Sequence, residues 1–182
     1  MLCIDEKPSI QALERAQGYL KLPNGRAQTG QSHDYKRHGT STLFAAFEVA
    51  TGKVTAVHKA RRRRVEFLDF MKTVVAAYPR KEIHVVLDNL STHKGNEAWL
   101  KRHPNVHFHF TPTSASWLNQ VENWFSILQG KSLAGASFTS VAQLKDHIDA
   151  FISSYNEGAA PFVWTKTKVR QRKFKNRRIS QL

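Results

Sequence analysis

Residues 41–59 read STLFAAFEVATGKVTAVHK, and this stretch decides the fold. Residues 41–50 are apolar on both faces for most of their length, as in a strand at the centre of a sheet. Thr51, Gly52 and Lys53 carry turn chemistry, and residues 54–59 form a second strand. The stretch therefore predicts a β-hairpin. The segments on either side decide whether the sheet it belongs to is wholly antiparallel or mixed.

Downstream, apolar residues recur at helical spacing from Val65 to Tyr78, and Pro79 ends the pattern. Residues 82–88 (EIHVVLD) form a β-branched strand ending in Asp88, Asn96 to Arg102 predicts a short helix, and 106–110 (VHFHF) alternate as a strand. Thr111 to Ser116 is a loop containing Pro112. Helices are predicted from about Trp117 to Gln129 and from about Ser140 to Tyr155. Upstream, residues 1–5 (MLCID) form a short strand, with Leu2 and Ile4 on one face and Cys3 and Asp5 on the other. That strand begins so near the chain end that fraying is expected. Residues 21–40 hold Pro23 and three glycines and predict a long loop. A hairpin joined to parallel crossovers, with helices on the faces, is a mixed α/β domain. Its element order matches, by analogy, the ribonuclease-H-like fold: a mixed sheet flanked by helices. Residues 1–160 form this single domain, since 182 residues are too few for two substantial cores.

Charge narrows the partner. Lys plus Arg number 28 against 14 for Asp plus Glu, a formal net charge of +14, with pI near 10.2. Such a field favours a polyanion. No apolar run reaches the roughly 20 residues that cross a membrane. The single Cys3 excludes an internal disulfide and reads as a small buried strand residue. Arg61, Arg62, Arg63 and Arg64 precede a predicted helix, where four positive charges oppose the helix dipole, so contact with DNA phosphates is expected. Tyr35, Lys36, Arg37 and His38 are weaker candidates of the same kind. Residues 161–182 read as a basic, disordered tail. His107 and His109 share one strand face, and with no further paired ligand they read as structural rather than zinc-binding.

Acidic residues are scarce, which makes their positions informative. Asp5 and Asp88 each end an apolar strand, and ligands of open α/β sheets bind outside the carboxyl ends of strands. Glu122 lies about 40° outside Leu118 on the predicted 117–129 helix, at the border of an apolar stripe, where it can face the sheet edge. Three converging carboxylates repel one another and need a cation to stay ionised together. Oxygen-only donors select hard ions, Mg2+ or Mn2+, and two such ions suit phosphodiester displacement.

At these residues the chain resembles the catalytic domain of bacterial insertion-sequence transposases of the mariner-like superfamily, whose signature is an Asp, Asp, Glu triad on a ribonuclease-H-like fold. The matching segments are CIDEKPSIQALERAQ around Asp5, HDYKRHGTSTLFAAFEVATGKV, VVLDNLSTHK around Asp88 and HFTPTSASWLNQVENWFSIL around Glu122. Asp88 and Glu122 stand 34 positions apart, close to the family spacing. The resemblance implies Asp5, Asp88 and Glu122 as catalytic metal ligands for two ions, with Asn89, His93, Asn119 and Gln120 supporting them. It also implies DNA, as element ends and target, for a partner, a homodimer when complete, and a cytoplasmic, nucleoid-associated location. The N-terminal helix-turn-helix module of the family is expected to be absent. Two alternatives stay open: a truncated, inactive DNA-binding remnant, or another ribonuclease-H-like nuclease. A basic RNA-binding protein is a third, though the glycine-aromatic signatures of common RNA modules are missing.

Overall fold

Phe44, Ala45, Ala46 and Phe47 lie opposite Val57, Ala56, Thr55 and Val54, so the hairpin closes as its apolar run predicts. Gly52 makes the turn at φ +74, where a Cβ would stand 2.1 Å from the Ala160 carbonyl oxygen. Any side chain there would meet both the left-handed penalty and a backbone clash.

The computed structural model describes residues 1–21, 27–112 and 115–163. Five strands, β1 (Leu2–Lys21), β2 (Ala27–Glu48), β3 (Val54–Lys59), β4 (Ile83–Leu87) and β5 (Val106–Phe110), are ordered β3-β2-β1-β4-β5. The β1–β2 and β2–β3 pairs are antiparallel, and β1–β4 and β4–β5 are parallel. The sheet is therefore mixed. Its helices are α1 (Arg64–Ala77), α2 (Glu97–Leu100), α3 (Val121–Leu128) and α4 (Val141–Glu157).

Period-2 alternation sorts the strand residues between two cores. Leu2, Ile4, Phe44, Ala46, Ile83, Val85 and Leu87 pack with Phe67, Phe70, Met71 and Val74 of α1. Cys3, Ala45, Phe47 and Val54 pack with Val121, Trp124 and Leu128 of α3 and with Leu144 and Ile148 of α4. Ser140 caps α4 by accepting the Gln143 N–H. Among the described residues no helix is long and apolar enough to cross a membrane.

Three expectations change. The loop expected over residues 21–40 is strand from Ala27 onward, pairing with β1 through Gln11 opposite Thr40, Leu13 opposite Arg37 and Arg15 opposite Tyr35, while residues 22–26 lie outside the described residues. A two-stranded ribbon satisfies the backbone of a polar sequence without apolar alternation, which is why the pattern does not announce it. Register shifts after Lys7, Gln11 and Arg15 bend this ribbon, and Ser9 takes φ 53 in the first. Second, the first strand does not stop at Asp5. It runs to Lys21, is paired on both sides, and buries Leu2, Cys3 and Ile4. Third, the helix after Pro112 begins at Val121 rather than Trp117. Ser116–Leu118 is a separate 3₁₀ turn in which Trp117 and Leu118 are exposed, and a π-helical turn, Gln129–Leu133, continues α3. Of the expected basic tail, 161–182, residues 164–182 lie outside the described residues.

Candidate active site

β1 and β4 are paired where they begin to part: Leu2 lies opposite Val85 and Cys3 opposite Val86. Two residues further along each chain stand Asp5 and Asp88. Asp5 is therefore inside a strand that continues outward, and Asp88 directly follows Leu87, the last residue of β4. The two are close enough for their charges to interact. Burial pushes the Asp5 carboxyl up to about 7, and the Glu6 and Asp88 charges push the same way, against the Glu6 N–H bond and the His93 charge. Asp5 Oδ1 accepts that backbone N–H at 2.8 Å.

Asp88 is held from behind. Its Oδ1 accepts the Leu90 backbone N–H at 3.0 Å and meets His93 Nδ1 at 2.7 Å. His93 is fully buried, and its Nε2 lies 3.1 Å from Glu6 Oε2, a carboxylate whose side chain is 1% exposed. Burial alone would lower the His93 pKa, but the hydrogen bonds and charges of Glu6 and Asp88 outweigh it and raise the pKa. The ring packs on Phe67 at 4.7 Å between centroids. His93 is thus no backbone-bonded helix-entry residue; it joins two carboxylates. Asn89 donates from Nδ2 to the Thr111 carbonyl, tying the loop after β4 to the end of β5.

The third acid arrives on α3. Asn119, fully buried, donates from Nδ2 to the Ile4 carbonyl at 3.0 Å, and the backbone of Gln120 and Val121 faces the Cys3 thiol. These contacts seat the start of α3 against β1 beside Asp5, with half-buried Glu122 in its first turn. Glu122 is not among the charges acting on Asp5. Among the described residues no three Asp, Glu, His or Cys side chains are grouped to enclose an ion. The structure therefore brings Asp5 and Asp88 together and sets Glu122 on the adjoining helix without closing a cage. The donors still fit a hard divalent ion: all are carboxylate oxygens, and both the burial that chiefly raises Asp5 and the smaller repulsion from Glu6 and Asp88 disfavour a charge that a cation would stabilise.

The basic candidates occupy two places. Arg61, Arg62, Arg63 and Arg64 are all exposed at the start of α1. Arg63 is paired with Glu66, and Arg64 donates to the Lys94 carbonyl at 2.9 Å, in the loop that follows Asp88. Arg61 and Arg62 carry no hydrogen bond or ion pair among the described residues. Tyr35, Lys36 and Arg37 are exposed on the β1–β2 ribbon, with Arg37 bonded to the Tyr35 hydroxyl and His38 to Glu14. Asp5 lies opposite Ala45, eight residues from Arg37, so these groups stand roughly 26 Å along the strand from the carboxylates. They are thus set apart from the carboxylates along the ribbon. His107 and His109 are exposed, bonded to Glu82 and His84 respectively.

Sequence reasoning missed Glu6. The signal was the strand alternation itself, which puts Glu6 on the apolar face of Leu2 and Ile4. A carboxylate on such a face needs a buried partner.

Residues 1–145 match the family model of the DDE superfamily endonucleases. No curated protein matches the chain in sequence. Among solved structures, the chain is similar to a Mos1 transposase paired-end complex with left transposon end, at 15% identity and TM-score 0.59, covering 84% of this chain and 47% of that one. It also aligns with a simian T-cell lymphotropic virus intasome in complex with PP2A regulatory subunit B56 gamma, at 12% identity and TM-score 0.48, covering 87% of this chain and 59% of that one. The first likeness shows the fold, a ribonuclease-H-like mixed sheet flanked by helices. The chain spans about half the length of that transposase chain.

Proposed function

The chain belongs to the DDE superfamily of endonucleases, and from that premise we propose that it is the catalytic domain of a mariner-like insertion-sequence transposase, cutting and joining DNA. Asp5, Asp88 and Glu122 are its metal ligands in this reading. The observation that carries it is the placing of Asp5 beside Asp88, where β1 and β4 part, with the Asp5 carboxyl pushed up to about 7.

Two Mg2+ or Mn2+ ions held there would supply Lewis-acid activation of the attacking oxygen and charge neutralisation at the leaving oxygen. The protein's own groups do the rest. His93 holds Asp88 Oδ1, which leaves Oδ2 for the cation side. Asn119 fixes the first turn of α3, and with it Glu122. Arg61 and Arg62 hold backbone phosphates beside the Asp88 loop. A water oxygen bonds to phosphorus as the bond from phosphorus to the 3′ oxygen breaks; the water's proton ends on that oxygen, which leaves as a 3′-hydroxyl, and the other strand end keeps a 5′-phosphate. The 3′-hydroxyl then attacks a target phosphodiester in the same way. Bacterial origin, a cytoplasmic setting and a dimer that joins two element ends belong to the same proposal.

The test is nicking of supercoiled DNA by the purified chain with Mg2+, with Mn2+ and with EDTA, alongside Asp88→Asn. Metal-dependent nicking that Asp88→Asn abolishes is expected. Equal nicking by the variant would remove the site. Pre-cut DNA ends then separate the activities: joined product supports a transposase, and hydrolysis alone points to another nuclease of the same fold.

A further inference from the structure

Glu6 lies on the apolar face of β1 with Leu2 and Ile4, and it is 7% exposed as a residue. Among the described residues its buried Oε1 has no hydrogen-bond partner, and its Oε2 meets only His93. A carboxylate taken out of water for a single contact gains little stability for the fold. What that contact does is orient a ring. His93 touches a carboxylate at each nitrogen, Glu6 at Nε2 and Asp88 at Nδ1. Each nitrogen therefore has an oxygen partner within hydrogen-bond distance, on opposite edges of the ring. A flipped ring would turn carbon toward both partners. Phe67 covers one side of the imidazole, and Asn96 donates to the His93 carbonyl at 2.9 Å, so the loop that carries it is fixed as well.

We propose that Glu6 is a positioning residue for Asp88, acting through His93: it anchors Nε2 so that Nδ1 holds Asp88 Oδ1 and leaves Oδ2 outside that contact. The chain of contacts runs from the back of β1, through the loop after β4, to the front of the site. Glu6 and Asp5 are adjacent in sequence but on opposite faces of β1, so one short segment supplies both a site carboxylate and the anchor of its neighbour. Partners of this kind behind a ligating carboxylate alter metal affinity without touching the ion. The proposal rests on the reading of Asp88 as a metal ligand.

The experiment is a double-mutant cycle read by Mn2+ binding to the full chain, using Glu6→Gln, His93→Gln and the pair, with Asp88→Asn as reference and melting temperatures as a check on folding. Glu6→Gln is expected to weaken Mn2+ binding about tenfold, His93→Gln at least as much, and the pair no more than His93→Gln alone. Unchanged affinity in Glu6→Gln would overturn the proposal, as would an equal loss whether or not His93 is present. If the parent binds no Mn2+, or Asp88→Asn binds as well as the parent, the metal-site reading itself fails. Should Glu6→Gln not fold, Glu6→Asp, which shortens the reach to His93, takes its place, and Mn2+ affinity equal to the parent's would overturn the proposal in the same way.

Discussion

Asp5 and Asp88 stand in step across the parallel junction of β1 and β4, two residues beyond the pairing of Cys3 with Val86. Strands that part there leave the two carboxylates side by side with no ladder between them. The site is thus a property of the sheet's branching point, where an antiparallel ribbon leaves a parallel pair.

Asp88→Asn removes a charge from that junction while leaving an amide that can still face His93. Cleavage is expected to fall at least about a hundredfold, more than the loss typical of partners that only orient a ligand. The fold should survive, since the relief of Asp5 from a like charge offsets the weaker His93 contact. Gel quantification of nicked plasmid together with thermal melting checks both halves.

The raised Asp5 pKa makes a signed prediction for the metal-free chain. Its folded value, about 7, exceeds the ordinary carboxylate value of 3.8, so the folded state binds the extra proton. The contribution is full below about pH 4 and is lost as pH rises through 7. Asp5→Asn should flatten this fall. Melting temperature against pH in EDTA reads it, and a metal-free stability that rises from pH 5 to 7 through Asp5 would contradict the assignment.

Divalent cations should reverse that trend. At about a hundred times its dissociation constant, Mn2+ should raise the melting temperature by roughly 5–10 °C for a chain of this size. The gain should be larger at pH 8 than at pH 5, because a proton competes for Asp5. Differential scanning fluorimetry across the two pH values provides the measurement, and a gain that Asp5→Asn, Asp88→Asn and the parent share equally would place the ion elsewhere.

Asn119→Ala tests how α3 is seated. The change removes a buried donor from the Ile4 carbonyl, and such losses cost about 1–3 kcal/mol. Urea unfolding should show that cost with little change in m-value. Cleavage should also fall, because the first turn carrying Glu122 loses its anchor. A variant with full activity would detach Glu122 from this seat.

The arginine run should divide by what each side chain already holds. Arg61→Ala with Arg62→Ala should weaken DNA binding at every sequence and reduce the slope of log affinity against log salt by about 1.8. Arg63→Ala should change the slope less, since Arg63 is already paired with Glu66. Fluorescence anisotropy over a salt series measures all three.

Much of the frame was legible in the residues alone. Apolar alternation before Gly52, the 3.6-residue period from Val65 to Tyr78 and the β-branched run into Asp88 each answer to local sterics and burial, so the hairpin, α1 and β4 could be read directly. The scarcity of acids pointed to Asp5, Asp88 and Glu122. The paired strands over 7–21 and 27–40 were not legible, because polar strands that pair with each other carry no apolar signature. Nor was the break before Val121, where Trp117 and Leu118 continue a helical stripe in sequence yet stand exposed in a separate turn.

The sequence by itself thus determined the order of the elements, the mixed character of the sheet and the acids worth watching, since these follow from patterns a few residues long. Tertiary structure alone decided which acids meet. It set Asp5 beside Asp88 through strand register, carried Asn119 to Ile4 across 115 positions, and closed His93 onto Glu6 across 87. Contacts at those separations exist only once the sheet and its helices have packed.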